Sequence, residues 1–314
     1  MIVDHGIDPE VFDSARRAGE AFFSQPLADK LAVDIASSKN HRGYVSVDQA
    51  GNYADEAGIR RYEAYDVGLD LGSDHPLVAS ETPLMGPNVW PVDGALRIAA
   101  QRCYDELRDL SDRLLDLIAV GLELRPEVFR EKRQAPVSQM RLLNYLERPD
   151  TTESHVAMGA HTDYEYLTLI RDWGEGLEVH TNSGTWTDVS GSGDALIVLA
   201  GDLLEVATGG AIRSALHRVK DITGTRFSIP FFAGADFYAE VTASETAVTS
   251  STATAQQIVA GSHLLRQLQR DFPYLRERYR TEEVLHLVDR DAIVDVTDTD
   301  ATHSMFERRR LAGR

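Results

Sequence analysis

Gly159-Ala160-His161-Thr162-Asp163-Tyr164-Glu165-Tyr166-Leu167-Thr168-Leu169-Ile170 is the stretch on which the reading of this chain turns. Its centre is His161-x-Asp163, and the run behind it alternates as a β-strand does. Side chains i and i+2 leave one face of a strand, so an imidazole and a carboxylate are expected to point together there. That supplies two neighbouring ligands for a divalent cation. The best candidate for a third is His217, in Ser214-Ala215-Leu216-His217-Arg218-Val219, brought in by folding rather than by local contact. Two histidines and one carboxylate on one side of a metal leave several positions open, the arrangement of non-haem Fe(II) centres. A lone His-x-Asp pair is common and by itself specifies no metal.

The segment after His217 narrows the choice. In Arg226-Phe227-Ser228-Ile229-Pro230-Phe231-Phe232, strand alternation puts Arg226 and Ser228 on one face. A guanidinium beside a hydroxyl receives a carboxylate well, because the fork bonds both oxygens and the serine adds a donor. Ile229, Phe231 and Phe232 predict burial, and a buried arginine needs an anionic partner. A co-substrate with two carboxylates would serve both places, chelating the metal at one end and pairing with Arg226 at the other.

Working outward, the apolar period is near 2 from about residue 136. Strands are predicted at 139–145, 166–170, 177–180, 185–189, 195–200, 203–207 and 226–232. Gly and Asn/Asp/Ser clusters separate many of them, as in a closed or two-sheet antiparallel barrel. Upstream, Asp8 caps a helix that opens with Pro9 and buries Val11, Ala15, Ala18 and Phe22. Short strand-like pieces follow at 43–47 and 61–67, and two prolines and a glycine make 86–91 a connection. A long helix is predicted from Gly94 to Leu122, with Ile98, Tyr104, Leu107, Leu110, Leu114, Leu117 and Ile118 as its core stripe. Downstream, a helix over about 253–279 buries Ile258, Leu264, Leu265, Leu268 and Phe272, and a charged tail closes the chain. The fold class is mainly β with flanking α-helices. Residues 1–135 form a helical and mixed region packed on a core at 136–240, and 241–314 hold the last helix and tail, all as one catalytic unit.

The 314 residues are enough for a substantial core, and 43% hydrophobic with 26% charged residues is a globular composition. No apolar run reaches about 18 residues and no basic-then-apolar leader opens the chain, so neither a membrane helix nor a secretory signal is predicted. The net charge of −18 is scattered and disfavours nucleic acid and anionic membranes as partners. Cys103 is the single cysteine, which rules out an internal disulfide and is expected to be a buried small apolar residue. A reducing, cytoplasmic setting fits both it and ferrous iron.

Taken together, 159–170, Gly201-Asp202-Leu203-Leu204-Glu205-Val206-Ala207-Thr208-Gly209-Gly210, 214–219 and 226–232 resemble the 2-oxoglutarate/Fe(II)-dependent dioxygenases of the isopenicillin N synthase-like group. Asp4-His5-Gly6, Phe22-Phe23 with Pro26 and Lys30, Arg42-Gly43-Tyr44, Gly86-Pro87-Asn88-Val89-Trp90-Pro91 and Gly261-Ser262-His263-Leu264 extend the likeness over nearly the whole chain. The resemblance implies a double-stranded β-helix (jelly-roll) core. It implies Fe(II) on His161, Asp163 and His217, with Arg226 and Ser228 holding the distal carboxylate of 2-oxoglutarate. O2 would be the oxidant, with succinate and CO2 released. Many members add an Asn-x-Tyr that bonds the same co-substrate. Here it would fall on Asn144-Tyr145-Leu146, where the asparagine is kept and Tyr145 faces the other way. Members also carry a strand and helix before the segment matching Ile2–Gly6, and without them a sheet edge is expected to stand open.

For the substrate, Tyr164, Phe232, Arg42, Tyr44 and Glu63 are the candidate contacts. A small metabolite and a monomer or weak homo-oligomer follow from the family. One iron centre serves hydroxylation, desaturation, cyclisation or epoxidation alike, and the residues do not choose among them. Three other readings stay open. An oxidase of isopenicillin N synthase type would use Arg226 and Ser228 for a substrate carboxylate, a zinc hydrolase would use the same triad to activate water, and a small-molecule binding protein would use the barrel without catalysis.

Overall fold

A computed structural model describes residues 1–47, 62–146, 156–189, 191, 193–220, 224, 226–243 and 257–279. The chain opens with α1 (Pro9–Phe23) and α2 (Leu27–Leu31), then β1 (Gly43–Val45) and β2 (Tyr62–Gly68). A short α3 (Pro76–Ala79) and the long α4 (Gly94–Gly121) lead into the barrel strands β3 (Gln139–Tyr145), β4 (Val156–His161), β5 (Leu167–Asp172), β6 (Leu177–His180), β7 (Trp186–Asp188) and β8 (Ile197–Ala200). After α5 (Asp202–Ala207) come β9 (His217–Lys220), β10 (Arg226–Ala233), the antiparallel pair β11 (Glu240–Thr242) and β12 (Gln257–Val259), and the closing helices α6 (Ala260–Asp271) and α7 (Tyr274–Arg278).

The strands form two facing antiparallel sheets of the jelly-roll core, in the orders β1-β2-β3-β10-β5-β8 and β4-β9-β6-β7. Alternation on the central strands sorts their side chains. Phe227, Ile229 and Phe231 of β10, with Met140 and Leu142 of β3, pack outward against α1 and α4. Arg226, Ser228, Pro230 and Phe232, with Gln139, Arg141, Leu143 and Tyr145, point inward to a cavity between the sheets. β2 pairs with β3 along its whole length, from Tyr62 opposite Tyr145 to Gly68 opposite Gln139, so the N-terminal region supplies part of the sheet itself. At the other edge, Ile2 bridges to Leu196 just before β8, with both backbone bonds made at 2.8 and 3.0 Å. That bridge covers one rung of the edge that was expected to stand open.

Several elements depart from expectation for identifiable reasons. Residues 203–207 are helix, not strand: a short apolar run does not distinguish the two, and Leu203, Leu204, Val206 and Ala207 are all buried in α5. The buried face of α4 runs through Leu96, Ala100, Cys103, Tyr104, Leu107, Leu110, Ser111, Leu115 and Ala119. Ile98 and Leu117, expected in the stripe, are 74% and 66% exposed. Ala100, Cys103, Ser111 and Ala119 interleave with the larger residues on this face, positions that a count of large apolar residues passes over. The last helix is shorter than 253–279. Gln257–Val259 pairs with β11, and the helix stops at Asp271 because Phe272 turns extended ahead of Pro273. Arg61, residues 253–256 and the charged tail from 280 lie outside the described residues. Among the described residues, no helix is long and apolar enough to cross a membrane.

Candidate metal centre and its cavity

His161 is the last residue of β4, and His217, the first of β9, stands directly opposite it. Asp163 does not continue the strand, as the sequence suggested, but lies in the turn that leads to β5. The turn is held from outside: Asp202 N–H donates to the Asp163 carbonyl at 2.9 Å and Gly201 N–H to the Tyr166 carbonyl at 3.0 Å. A Cβ on Gly201 would strike the Glu165 carbonyl and sit 3.1 Å from that of Asp163, which accounts for a glycine there. His217 is placed through α5, where the Glu205 carboxylate accepts from Ser214 N–H at 2.6 Å and its hydroxyl at 2.7 Å.

The three side chains converge. Nδ1 of His161 lies 2.8 Å from the Gly159 carbonyl and Nδ1 of His217 2.9 Å from the Ala215 carbonyl. Each carbonyl fixes the proton on Nδ1 and leaves Nε2 as a lone-pair donor, the usual support for a metal-bound histidine. Both Nε2 atoms face the Asp163 Oδ1, at 3.7 and 3.8 Å. The Thr168 hydroxyl donates to the other oxygen, Oδ2. One ligand atom from each residue lies within 4.8 Å of the others, and all three residues are buried. Burial first, and then the neighbouring His217, lower His161 to about 4 against the pull of Asp163. Burial, followed by Asp163, raises Glu165 to about 8. Two imidazoles that turn Nε2 towards one carboxylate are the donor set a divalent cation requires.

Deeper in the same cavity, Arg226 is 2% exposed and paired with Asp172 at the end of β5. Its Nε donates to Asp172 Oδ1 at 3.1 Å and its Nη2 to Oδ2 at 2.5 Å. Nη1 is buried without a hydrogen-bond partner among the described residues. Tyr145 lays its ring 4.3 Å from the guanidinium carbon, and Gly174 leaves room for the arginine stem, which a Cβ would meet at 2.7 Å. Ser228 lines the cavity one inward position along β10. An orphaned donor beside a hydroxyl fits a carboxylate of the co-substrate type.

The structure separates the expected site residues. His161, Asp163, Tyr164, His217, Arg226, Ser228, Tyr145 and Phe232 all line one cavity of about 830 Å3 including its mouth. Asn144 does not. As an even residue of β3 it points to the opposite face, where its amide donates to Glu63 Oε1 at 3.0 Å. On β3 it is Leu143 and Tyr145, not Asn144, that face the cavity. Glu63 and Tyr44 likewise lie away from this cavity: Glu63 Oε2 accepts from Lys30 Nζ at 2.6 Å and from the Tyr44 hydroxyl at 2.7 Å in a buried cluster behind the sheet. Arg42 is absorbed too, donating to the carbonyls of Asn40, His41 and Leu84. Thr168, Asp172 and Arg141 went unnoticed in the sequence. Thr168 and Asp172 sit on β5 at positions that alternation could have placed; their partners come from folding.

Residues 137–235 match the family model described as the 2OG-Fe(II) oxygenase superfamily. Residues 1–93 match that described as the non-haem dioxygenase in morphine synthesis N-terminal. The chain is 34% identical over 252 residues to clavatol oxidase claD of Penicillium crustosum, covering 74% of each. It is 32% identical over 246 residues to the 2-oxoglutarate-dependent dioxygenase citB of Monascus ruber, covering 74% of this chain and 73% of that one. A 2OG-Fe(II) oxygenase family protein from Caulobacter crescentus superposes with a TM-score of 0.72 at 29% identity, over 85% of this chain and 88% of that one. The dioxygenase for auxin oxidation of rice has the same fold, with a TM-score of 0.65 at 20% identity over 85% of this chain and 83% of that one.

Proposed function

The chain belongs to the 2OG-Fe(II) oxygenase superfamily and is a 2-oxoglutarate-dependent non-haem iron dioxygenase, and from that premise we propose that His161, Asp163 and His217 hold the iron while Arg226, Ser228 and Tyr145 hold the co-substrate. The observation that carries this assignment is the convergence of two Nε2 atoms on one Asp163 oxygen. When bound, Fe(II) and 2-oxoglutarate with O2 supply the oxidising chemistry and release succinate and CO2.

The chain's own residues bind and orient. The Gly159 and Ala215 carbonyls keep both imidazoles in the tautomer that presents Nε2. Thr168 occupies one oxygen of Asp163, so the other faces the histidines. Arg226 offers Nη1 to the distal carboxylate, and Ser228 adds a hydroxyl. Met158, Ile170, Leu177 and Val219 line the wall between these groups and limit water there. The substrate is a small metabolite oxidised at a C–H bond, with Tyr164 and Phe232 on the wall it meets. A cytoplasmic, reducing compartment suits the ferrous state, and a monomer or weak homo-oligomer suits a cavity closed by its own α6.

Anaerobic addition of 2-oxoglutarate to the Fe(II)-loaded enzyme tests this. A weak visible charge-transfer band is expected in wild type and is expected to vanish in His217→Ala. Iron that fails to bind the wild-type chain would overturn the assignment.

A further inference from the structure

Arg141 repeats, on the neighbouring strand, the bonding of Arg226. It projects inward from β3 and forms part of the cavity wall. Its Nε donates to Asp66 Oδ1 at 2.6 Å and its Nη2 to Asp66 Oδ2 at 2.7 Å, while Asp66 is fully buried on β2. Nη1 makes no hydrogen bond among the described residues, and the side chain keeps 14% exposure, on the cavity side. The two arginines cannot share one small diacid. Arg226 pairs in register with Tyr145, four residues from Arg141 on β3, which sets the backbone anchors about 13 Å apart along the strand.

Charge decides what the second donor takes. Asp66 matches Arg141 as Asp172 matches Arg226, so that pairing does not tell the two arginines apart. The difference is Asp271, at the end of α6, a second carboxylate that lines the cavity and acts on Arg141. An incoming carboxylate would be repelled by Asp271 as well as by Asp66. A neutral acceptor oxygen meets no such repulsion and still gains a charge-assisted hydrogen bond. Around this donor the wall is made of Tyr62, Phe232, Leu264, Leu268 and Phe272, which suit an apolar or aromatic body.

We propose that Arg141 anchors the substrate, and that the substrate is a neutral, largely apolar small molecule presenting a carbonyl oxygen. The inference rests on the dioxygenase reading, because it assumes that Arg226 is taken by 2-oxoglutarate. Asp66 is then a positioning residue, fixing which nitrogen of Arg141 faces the cavity.

The test uses the full-length enzyme, anaerobic, with Fe(II) and 2-oxoglutarate bound. Acetophenone, benzoate and ethylbenzene are titrated as probes, and paramagnetic broadening of their proton resonances gives each affinity. Acetophenone is expected to bind at least about tenfold more tightly than either of the others, the lower bound for one charge-assisted bond in a dry site. Arg141→Met combined with Asp66→Asn leaves no buried charge unpaired. It is expected to cut that preference below about threefold while leaving the 2-oxoglutarate midpoint unchanged. If the double variant does not fold, Arg141→Lys serves: its shorter side chain keeps the ammonium on Asp66 and lacks the fixed fork that carries a donor further, so the preference should again fall.

Tighter binding of benzoate, or a preference that survives in the variant, overturns the inference. So does a variant whose 2-oxoglutarate midpoint rises as far as its probe affinity falls, since Arg141 would then belong to the co-substrate. A wild-type enzyme that gives no 2-oxoglutarate band at all overturns the site assignment itself, and this inference with it.

Discussion

Replacing Arg226 should damage the fold as well as co-substrate binding, and the pair with Asp172 gives the size of the effect. The two side chains are 2% and 1% exposed and share two hydrogen bonds. Arg226→Met leaves the Asp172 carboxylate buried without its counter-charge. Breaking a buried pair from one side costs about 3–5 kcal/mol, a large part of a total stability of about 5–15 kcal/mol. Burial already holds Asp172 above the ordinary carboxylate range, and losing the arginine raises it further. A folded-state pKa above the unfolded value near 3.9 means the folded state holds the extra proton. The deficit of Arg226→Met should therefore shrink as pH falls from 8 towards 5. Removing both charges, as Arg226→Met with Asp172→Leu, should restore stability to within about 1 kcal/mol of wild type, because apolar replacement of a buried pair is close to neutral. Urea unfolding of the four proteins without 2-oxoglutarate gives the coupling energy, expected at about 3 kcal/mol or more. The charge-transfer titration then reads binding separately, and the double variant should stay deficient there although it is stably folded. Single-variant losses that add to within about 0.5 kcal/mol of the double would refute the reasoning, since independent sites behave that way.

Three shorter predictions follow from other contacts. Thr168→Val removes the hydroxyl that donates to Asp163, and Fe(II) affinity by competition with a chelator should fall about 10–100-fold, as for other outer partners of metal ligands; an unchanged affinity would show that Asp163 needs no support. Asn144→Leu should leave the 2-oxoglutarate midpoint unchanged and cost about 1–3 kcal/mol by leaving Glu63 Oε1 unpaired, whereas Tyr145→Leu should weaken 2-oxoglutarate binding; the opposite pattern would reverse the facing of β3. His41 is buried against Phe272 and Tyr274, and burial first, then Arg141, Arg42 and Arg278, hold it well below the ordinary histidine range. Its unfolded form binds a proton below about pH 6.5 and its folded form does not, so its contribution is lost as pH falls, reaching about 1.4 kcal/mol at pH 5.5; His41→Gln should lose less between pH 8 and 5.5 by that amount in urea unfolding.

How far the sequence could be read depended on whether a feature is periodic or pairwise. The period of two on β10 placed Arg226 and Ser228 on one face, and the structure puts that face towards the cavity with Phe227, Ile229 and Phe231 on the other. Asp8 and Pro9 marked the first helix to the residue, because a cap is a local bond: Asp8 accepts from Glu10 N–H. What was not legible was of another kind. Asp163 reaches the histidines from a turn, and the bonds that hold that turn come from Gly201 and Asp202, far along the chain. Arg42, Tyr44 and Glu63 carry polar side chains in strand-like segments, and nothing local says that Lys30, Asn144 and three carbonyls consume them. A buried charge announces that it has a partner without naming it.

That distinction also explains why the cavity's two arginines looked so different in sequence and so alike in space. Arg226 stands out because Ser228 follows it at strand spacing, a pattern contained in three residues. Arg141 has no such neighbour: Asp66 is reached only when β2 lies in register on β3, opposite it rung for rung. In that register the two arginines are bonded alike. Each aspartate takes Nε and Nη2, and each leaves Nη1 without a hydrogen bond among the described residues, on an arginine that lines the cavity. An arginine fixed at two nitrogens has little rotamer freedom left to lose on binding. Both donors are thus set in place before any ligand arrives, one for the co-substrate after which the superfamily is named and one for the molecule that this chain must select.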